Sequence, residues 1–246
     1  GVLAPAAVSS VLTCGGVGSS MNNSARDAAK RRAGESAAAT VEHGAVVGLG
    51  SGSTAAHAIR ALGREVGDGL DIEGVPTSFQ SREIAVEVGI PLTTLDERDV
   101  DVAIDGADQF AGADLVKGGG GAHAREKIVD SAADELLVVV DPTKEVDVLD
   151  ADVPVEVLPD ARSTVAEAVR RVGGQPTLRR ADRKSGPVVT DNGNLLLDCD
   201  FGAMPDPDGL AAELSALPGV VEHGLFVDAA DEIHLGTESD LSVFEP

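Results

Sequence analysis

Between Asp105 and Lys127 the chain reads Asp-Gly-Ala-Asp-Gln-Phe-Ala-Gly-Ala-Asp-Leu-Val-Lys-Gly-Gly-Gly-Gly-Ala-His-Ala-Arg-Glu-Lys, and these 23 residues gather the reactive side-chain types of an active site. Asp105 and Asp108 stand three apart across a Gly-Ala step at the end of an apolar run. Two carboxylates in one crevice push one pKa upward, which makes an acid and a base from one residue type. Taken alone, the pair reads as well as a loop aspartate capping a helix beside a solvated neighbour. Lys117 precedes Gly118, Gly119, Gly120 and Gly121, a cation at the rim of a backbone nest whose N–H groups can hold an oxyanion. Glu126 is placed as a carboxylate base one turn into a helix, with Arg125 and Lys127 beside it; the alternative is a surface ion pair, worth under about 1 kcal/mol.

A second group lies upstream. Ala45 to Leu49 reads as a short strand that runs into Gly50-Ser51-Gly52-Ser53-Thr54 and then a helix from Ala55 to about Val66. Strand, glycine turn and helix start are the first unit of an open α/β sheet. Glycines let the backbone approach a ligand closely, and N–H groups at a helix start favour phosphate. Counting from Gly48, the sixth place of a dinucleotide fingerprint is Ser53 rather than Gly, and no Gly-Lys-Ser/Thr marks a nucleotide P-loop. The turn therefore suggests a phosphate, but not NAD or ATP. A phosphate turn, an acid pair, a lysine by a nest and a carboxylate base suit proton transfer beside the carbonyl of a sugar phosphate.

The elements that must position these groups alternate. A helix is expected from Ser24, as N-cap, to His43, with Gly44 as its stop. Strands follow near Ile72–Val75, Pro91–Leu95, Val100–Ile104 and Glu135–Val140, with helices at Gln80–Val88 and Ala122–Ala133. Thr77 and Ser78, at a strand end, serve either as extra ligand hydroxyls or as an N-cap. Val100–Ile104 delivers Asp105 at its carboxyl end, where open α/β sheets bind ligands. After Pro154 come strand Val155–Leu158, helix Ser163–Val172, strand Thr177–Arg179, an Asn192-Gly193 hairpin turn, strand Leu195–Asp198 and helix Pro207–Leu217, the order of a small ferredoxin-like α+β sandwich. Late strands at Gly224–Val227 and Glu232–Leu235 return to the first domain. The expected division is residues 21–153 plus 224–246 as a Rossmann-like domain and 154–223 as the smaller one, with residues 1–20 a disordered extension.

Composition narrows the partners. Nineteen basic against 42 acidic residues leave a net charge of −23, which repels nucleic-acid backbones and anionic lipid. The acid is spread along the chain, as on a halophile's surface, where near-molar salt cuts the Debye length to about 3 Å; an ordinary acidic cytosolic protein is the other reading. No run reaches the roughly 18 apolar residues of a membrane helix. Lysine is scarce, only Lys30, Lys117, Lys127, Lys144 and Lys184, so each marks a place where a point charge is wanted. Cys14 and Cys199 make no disulfide framework, the five histidines show no ligand spacing, and no Gly-x-Ser-x-Gly elbow occurs. Neither a metal nor a cofactor is expected, and the compartment is read as reducing and cytoplasmic.

The runs Gly48–Ala55, Asp105-Gly106-Ala107-Asp108, Lys117–Ala122 with Arg125-Glu126-Lys127, Asp141–Lys144 and Val189-Thr190-Asp191-Asn192-Gly193-Asn194 together resemble type A ribose-5-phosphate isomerase, in the right order and spacing from about Ser24 to Gly236. The resemblance implies interconversion of ribose 5-phosphate and ribulose 5-phosphate through a cis-enediolate without metal, by dimers or tetramers, in the non-oxidative pentose phosphate pathway. By motif position Glu126 resembles the base that moves the proton between carbons 1 and 2. Asp105 resembles the ring-opening acid/base, Asp108 its partner, and Lys117 the charge that steadies the enediolate. Lys30, Ser51, Gly52, Ser53, Thr54, Gly118, Gly119, Gly120 and Lys144 fall at positions that hold substrate. Two residues depart from the family pattern: Ser51 stands for Thr, and Gln109 for Glu, which is expected to remove a charge beside Asp108. An amino-sugar phosphate deaminase, which needs a histidine beside the base, with His123 the only nearby candidate, and a non-catalytic sugar-phosphate sensor are the competing readings.

Overall fold

The computed structural model describes residues 23–246; the extension expected over 1–20 lies outside them, as does Cys14. In chain order these residues form α1 (Asn23–Ala38), β1 (Val46–Leu49), α2 (Gly52–Gly67), β2 (Glu73–Pro76), α3 (Phe79–Val88), β3 (Val100–Asp105), β4 (Gln109–Ala111), β5 (Asp114–Val116), α4 (His123–Asp130) and β6 (Ala133–Val140). There follow β7 (Val153–Val157), α5 (Arg162–Arg171), β8 (Gln175–Leu178), β9 (Leu195–Asp200), α6 (Pro207–Ser215), β10 (Val220–His223), β11 (Leu225–Phe226), β12 (Glu232–Gly236) and β13 (Leu241–Phe244).

The main sheet has the order β13-β12-β6-β3-β1-β2, parallel throughout except for β13 at one edge. Its inner strands are rich in apolar residues, and Leu136 to Val140 form an unbroken buried apolar run, as expected of a parallel sheet covered on both faces. Five strands run the same way, so β1, β3 and β6 all end at one edge, and the loops after them carry Gly50–Thr54, Asp105–Asp108 and Asp141–Lys144. Helix α1 buries a face of small residues, Ala25, Ala29, Ala33, Gly34 and Ala37. A Cβ on Gly34 would come within 2.7 Å of the Ala58 backbone nitrogen, so this face lets α1 lie hard against α2. That approach brings Lys30 Nζ within 2.9 Å of Ser53 Oγ.

The second sheet, β10-β7-β9-β8, is antiparallel. Its order β7-α5-β8-β9-α6-β10 is the split sandwich expected from the sequence, with Val153, Val155, Val157, Val165, Val169, Leu197 and Leu214 in its core. The Asn192-Gly193 turn forms, Gly193 at φ +86°, and it wraps a carboxylate. Glu156 is fully buried and accepts from Thr190 Oγ1 at 2.9 Å, Asn192 Nδ2 at 3.1 Å and Asn194 Nδ2 at 2.8 Å. A third, three-stranded sheet, β11-β5-β4, joins the late strand to a hairpin inside the Asp105–Lys127 stretch.

Several expected boundaries move. Helix α1 ends at Ala38 rather than His43, and Ser24 is its second residue instead of its cap. Thr40 stops it by turning both its N–H and its hydroxyl onto the Ala37 carbonyl. Pro91–Leu95 is no strand: Leu92 makes a single bridge to Gly74 before the chain turns at Thr94, whose carbonyl accepts from Glu97 and Arg98. Helix α4 stops at Asp130, three residues short, because β6 begins at Ala133. The β4–β5 hairpin, β10 and β13 were not anticipated.

Candidate active site

A cleft of about 190 Å³ opens at the carboxyl ends of β1, β3 and β6. Lys30, Ser51, Gly52, Ser53, Thr54, Asp108, Lys117, Gly118, Gly119, Gly120, Glu126 and Lys144 all line it, together with Gly106 and Ala107. Asp105, the remaining residue singled out in the sequence, is 1% exposed and lies behind Lys117.

Lys117 is the centre of the site and is itself 2% exposed. Its ammonium donates to the Gly106 carbonyl at 2.5 Å and pairs with Asp105 at 2.9 Å, with Glu126 at 3.6 Å and Asp130 at 3.8 Å. Burial alone would strip its proton, but three surrounding carboxyls outweigh that, and its pKa is held above the ordinary lysine value. Asp105 Oδ1 accepts from the Ser51 and Gly106 N–H groups at 3.0 and 2.7 Å, and its Oδ2 faces the Lys117 ammonium. Gly50 is required here, since a Cβ would run into the Asp105 carboxylate. One ammonium cannot neutralise three anions in so dry a place. Burial pushes Glu126 up to about 7, Lys117 drawing it partly back and Asp105 and Asp108 adding to the rise. Burial and Asp105 raise Asp130 well above the usual carboxylate range, and neither of its oxygens has a hydrogen-bond partner.

The acid pair is therefore not the pair read from the sequence. Asp105 faces Lys117, whereas Asp108 is exposed at the cleft and accepts from the Gly119 N–H at 2.6 Å. The carboxyls pushed upward by crowding are Glu126 and Asp130. Nor does the ion-pair alternative for Glu126 apply: Arg125 sits over the Phe79 ring at 6.0 Å. Lys127 points away, to Glu222 Oε1 and the His223 carbonyl, both at 2.7 Å, over the Phe226 ring.

At the other end of the cleft, Ser53 and Thr54 occupy the first turn of α2, where backbone N–H groups lack intrahelical acceptors. Lys30 from α1 and Lys144 flank them. The helix begins at Gly52, not Ala55, so the glycine turn is itself the helix start. Ser51 uses its hydroxyl internally, 2.8 Å from Thr77 Oγ1 and 2.7 Å from Ser78 Oγ. Thr77 donates to the Leu49 carbonyl, and Ser78 caps α3 in a reciprocal box with Ser81; of their two readings, the structure shows the supporting one. The Gln109 expectation is corrected. Its amide lies away from Asp108: Oε1 accepts from the Asp150 and Ala151 N–H groups at 2.8 and 2.9 Å, and Nε2 donates to Asp150 at 2.6 Å. A carboxylate there would lose that donor and face Asp150.

His123 is fully buried beneath Gly118 and turned to the Glu222 carbonyl at 3.3 Å. Burial pushes its pKa down to about 4, so it is a neutral packing group and not the base's neighbour that a deaminase needs. Sequence reasoning missed Asp130 and Arg179. An i, i+4 step from Glu126 on a helix was the available sign for Asp130; Arg179 reaches the site from β8's end, more than 50 residues away, and had none.

The family model of ribose 5-phosphate isomerase A (phosphoriboisomerase A) matches residues 73–240. The chain belongs to the ribose 5-phosphate isomerase A family. It is 66% identical to ribose-5-phosphate isomerase A of Haloarcula marismortui over 91% of this chain and 98% of that one, and 65% identical to that of Halorubrum lacusprofundi over 88% and 96%. Among solved structures, ribose 5-phosphate isomerase A of Methanocaldococcus jannaschii superposes with a TM-score of 0.85 at 43% identity, covering 88% of this chain and 98% of that one. A D-ribose-5-phosphate isomerase in complex with phospho-erythronic acid gives 0.88 at 40% identity, over 92% and 100%. The chain is thus an isomerase of the pentose phosphate pathway with the family's α/β fold, and its acidic surface accords with relatives from halophilic archaea.

Proposed function

We propose that the cleft interconverts D-ribose 5-phosphate and D-ribulose 5-phosphate by proton transfer at Glu126, with Lys117 as the fixed positive charge. The observation that carries this reading is the buried Glu126 carboxyl 3.6 Å from a buried ammonium. With its pKa near 7, Glu126 is both a usable base and, once protonated, a usable acid, which proton return to the neighbouring carbon requires. Lys117, kept charged by Asp105, stabilises the enediolate, and a water-poor site makes that charge act strongly. The α2 start, Lys30 and Lys144 take the phosphate. Asp108, the exposed carboxylate of the pair, handles the proton of ring opening, while Asp105 anchors Lys117. The absence of a histidine facing Glu126 among the described residues sets the deaminase reading behind.

The two-domain division at residues 153/154 and 223/224, assembly as a homodimer or homotetramer, and a cytoplasmic location belong to the same proposal. No helix among the described residues is long and apolar enough to cross a membrane. The test is an assay of the purified chain in concentrated salt. Ribulose 5-phosphate should form from ribose 5-phosphate, and no ammonia should be released from an amino-sugar phosphate; ammonia release without ketose formation would reverse the choice.

A further inference from the structure

The glycine nest beside Lys117 is held from behind by a residue of the other sheet. Arg179 follows β8, and its N–H donates to the Leu196 carbonyl on β9. Its guanidinium grips Asp198 on β9 through Nε, at 3.0 and 2.9 Å to the two carboxylate oxygens, and again through Nη2. The remaining nitrogen, Nη1, donates to the carbonyls of both Gly118 and Gly119 at 3.0 Å. Both charged side chains are mostly covered, at 17% and 23% exposure.

The consequence follows from peptide geometry. In a trans peptide the C=O of one residue and the N–H of the next point in opposite directions. Pinning the Gly118 carbonyl therefore aims the Gly119 N–H away from Arg179, and that N–H is the one on Asp108 at 2.6 Å. Pinning the Gly119 carbonyl does the same for the Gly120 N–H, for which no acceptor is present among the described residues and which borders the cleft. Gly118 itself sits at φ +100°, and the Gly121 N–H closes the turn onto the Gly118 carbonyl at 2.9 Å. The local chain, four glycines, has little torsional preference of its own. A rigid planar fork held by a carboxylate supplies what the glycines lack, and a lysine, as a single point charge, cannot span Asp198 and two carbonyls together.

We propose that Arg179 is a positioning residue for the isomerisation, fixing the Gly118–Gly120 peptides so that the nest's N–H groups meet the developing enediolate and Asp108. The proposal rests on the isomerase reading of the cleft, and it makes the second sheet part of the catalytic apparatus rather than a cover for it. The guanidinium touches no reacting atom; it acts through the two peptide groups.

The experiment compares wild type with Arg179→Lys, Arg179→Met and Asp198→Asn, each confirmed folded by circular dichroism. It measures kcat and KM for ribose 5-phosphate and the inhibition constant of phospho-erythronic acid, whose carboxylate stands in for the enediolate. Misplacing such a group by about 1 Å costs on the order of 10²-fold, so kcat should fall about ten- to a hundredfold in Arg179→Met, less in Arg179→Lys and least in Asp198→Asn. KM should change less than about threefold, and the inhibition constant should rise in step with the fall in kcat, as expected for a group felt only by the intermediate. Wild-type kcat and inhibition constant in folded Arg179→Lys and Arg179→Met, even with a lowered melting temperature, would overturn the proposal. So would a raised KM at unchanged kcat, or a fall in kcat with the inhibition constant unmoved. Turnover by the wild type in the same assay keeps a failure here separate from a failure of the isomerase reading.

Discussion

The main sheet has a cleft at each end, and they are opposites. The larger, about 980 Å³, lies at the amino ends of β3, β6 and β12 and is lined by Glu42, Asp101, Asp134, Glu135, Asp231, Glu232 and Glu245, with no lysine or arginine. The smaller, about 190 Å³, lies at the carboxyl ends and holds Lys30, Lys117 and Lys144, three of the chain's five lysines. In the acidic cleft two carboxylates are spent on the backbone: Asp101 accepts from the Val46 N–H and Asp231 from the Leu136 N–H, each at 2.7 Å. They close open N–H groups at the start of β1 and just before β6 begins to pair with β12. At the floor of the small cleft Lys117, Glu126 and Asp130 are packed around one another, out of water, with proton affinities displaced. Volume thus says little about where chemistry occurs; buried, crowded charge says more.

The contrast can be broken by substitution. Lys117→Ala should produce the largest effect, a fall of about 10² to 10³ in kcat with ribose 5-phosphate, the usual loss of an oxyanion-stabilising group. It should also lower the melting temperature, because three carboxyls lose their counter-charge; a variant with near-wild-type kcat would end the functional reading of this cleft. Asp231→Ala, at the opposite end, should lose about 1 kcal/mol of stability with the Leu136 N–H bond. Its kcat and KM should stay at wild-type values, and a large loss of activity would make the acidic cleft functional.

A smaller effect separates the two kinds of carboxylate. Because Asp130 is raised in the folded protein, the native state holds its proton more tightly than the unfolded chain. Stability associated with that proton is complete below the unfolded value, about 4, and is lost as pH rises through the folded value. Asp130→Asn cannot titrate, so its melting temperature should exceed that of wild type at pH 8, with the gap narrowing toward pH 4. A lower melting temperature at pH 8 would mean that Asp130 is a needed anion and that the charge balance around Lys117 is wrong.

Much of this was legible in the chain. Strand ends followed by glycine or aspartate placed both groups of site residues, since parallel strands deliver their loops to one edge whatever lies between them. The small sandwich was readable from element order and the Asn192-Gly193 turn. What stayed hidden was pairing. The sequence put Asp105 with Asp108 because they are close along the chain, whereas the fold turns Asp105 onto Lys117 and Asp108 onto Gly119. The β4–β5 hairpin that carries the chain from Asp108 back to Lys117 and Gly119 is only three residues a side, too short for a periodic signal. Gln109 sits next to Asp108 in sequence but faces the Asp150 loop, because neighbours in a strand point to opposite faces. Arg179 is assigned by tertiary structure alone.

Glu126 is the proposed carrier of the proton, and kcat of Glu126→Gln with ribose 5-phosphate tests that role most directly. Glutamine keeps the shape and removes the base, so kcat should fall by about 10² to 10⁴, while the wild type should show a kcat/KM that declines below a pH of about 7 as Glu126 takes up its proton. A folded Glu126→Gln enzyme turning over within a few-fold of wild type would contradict proton transfer at Glu126.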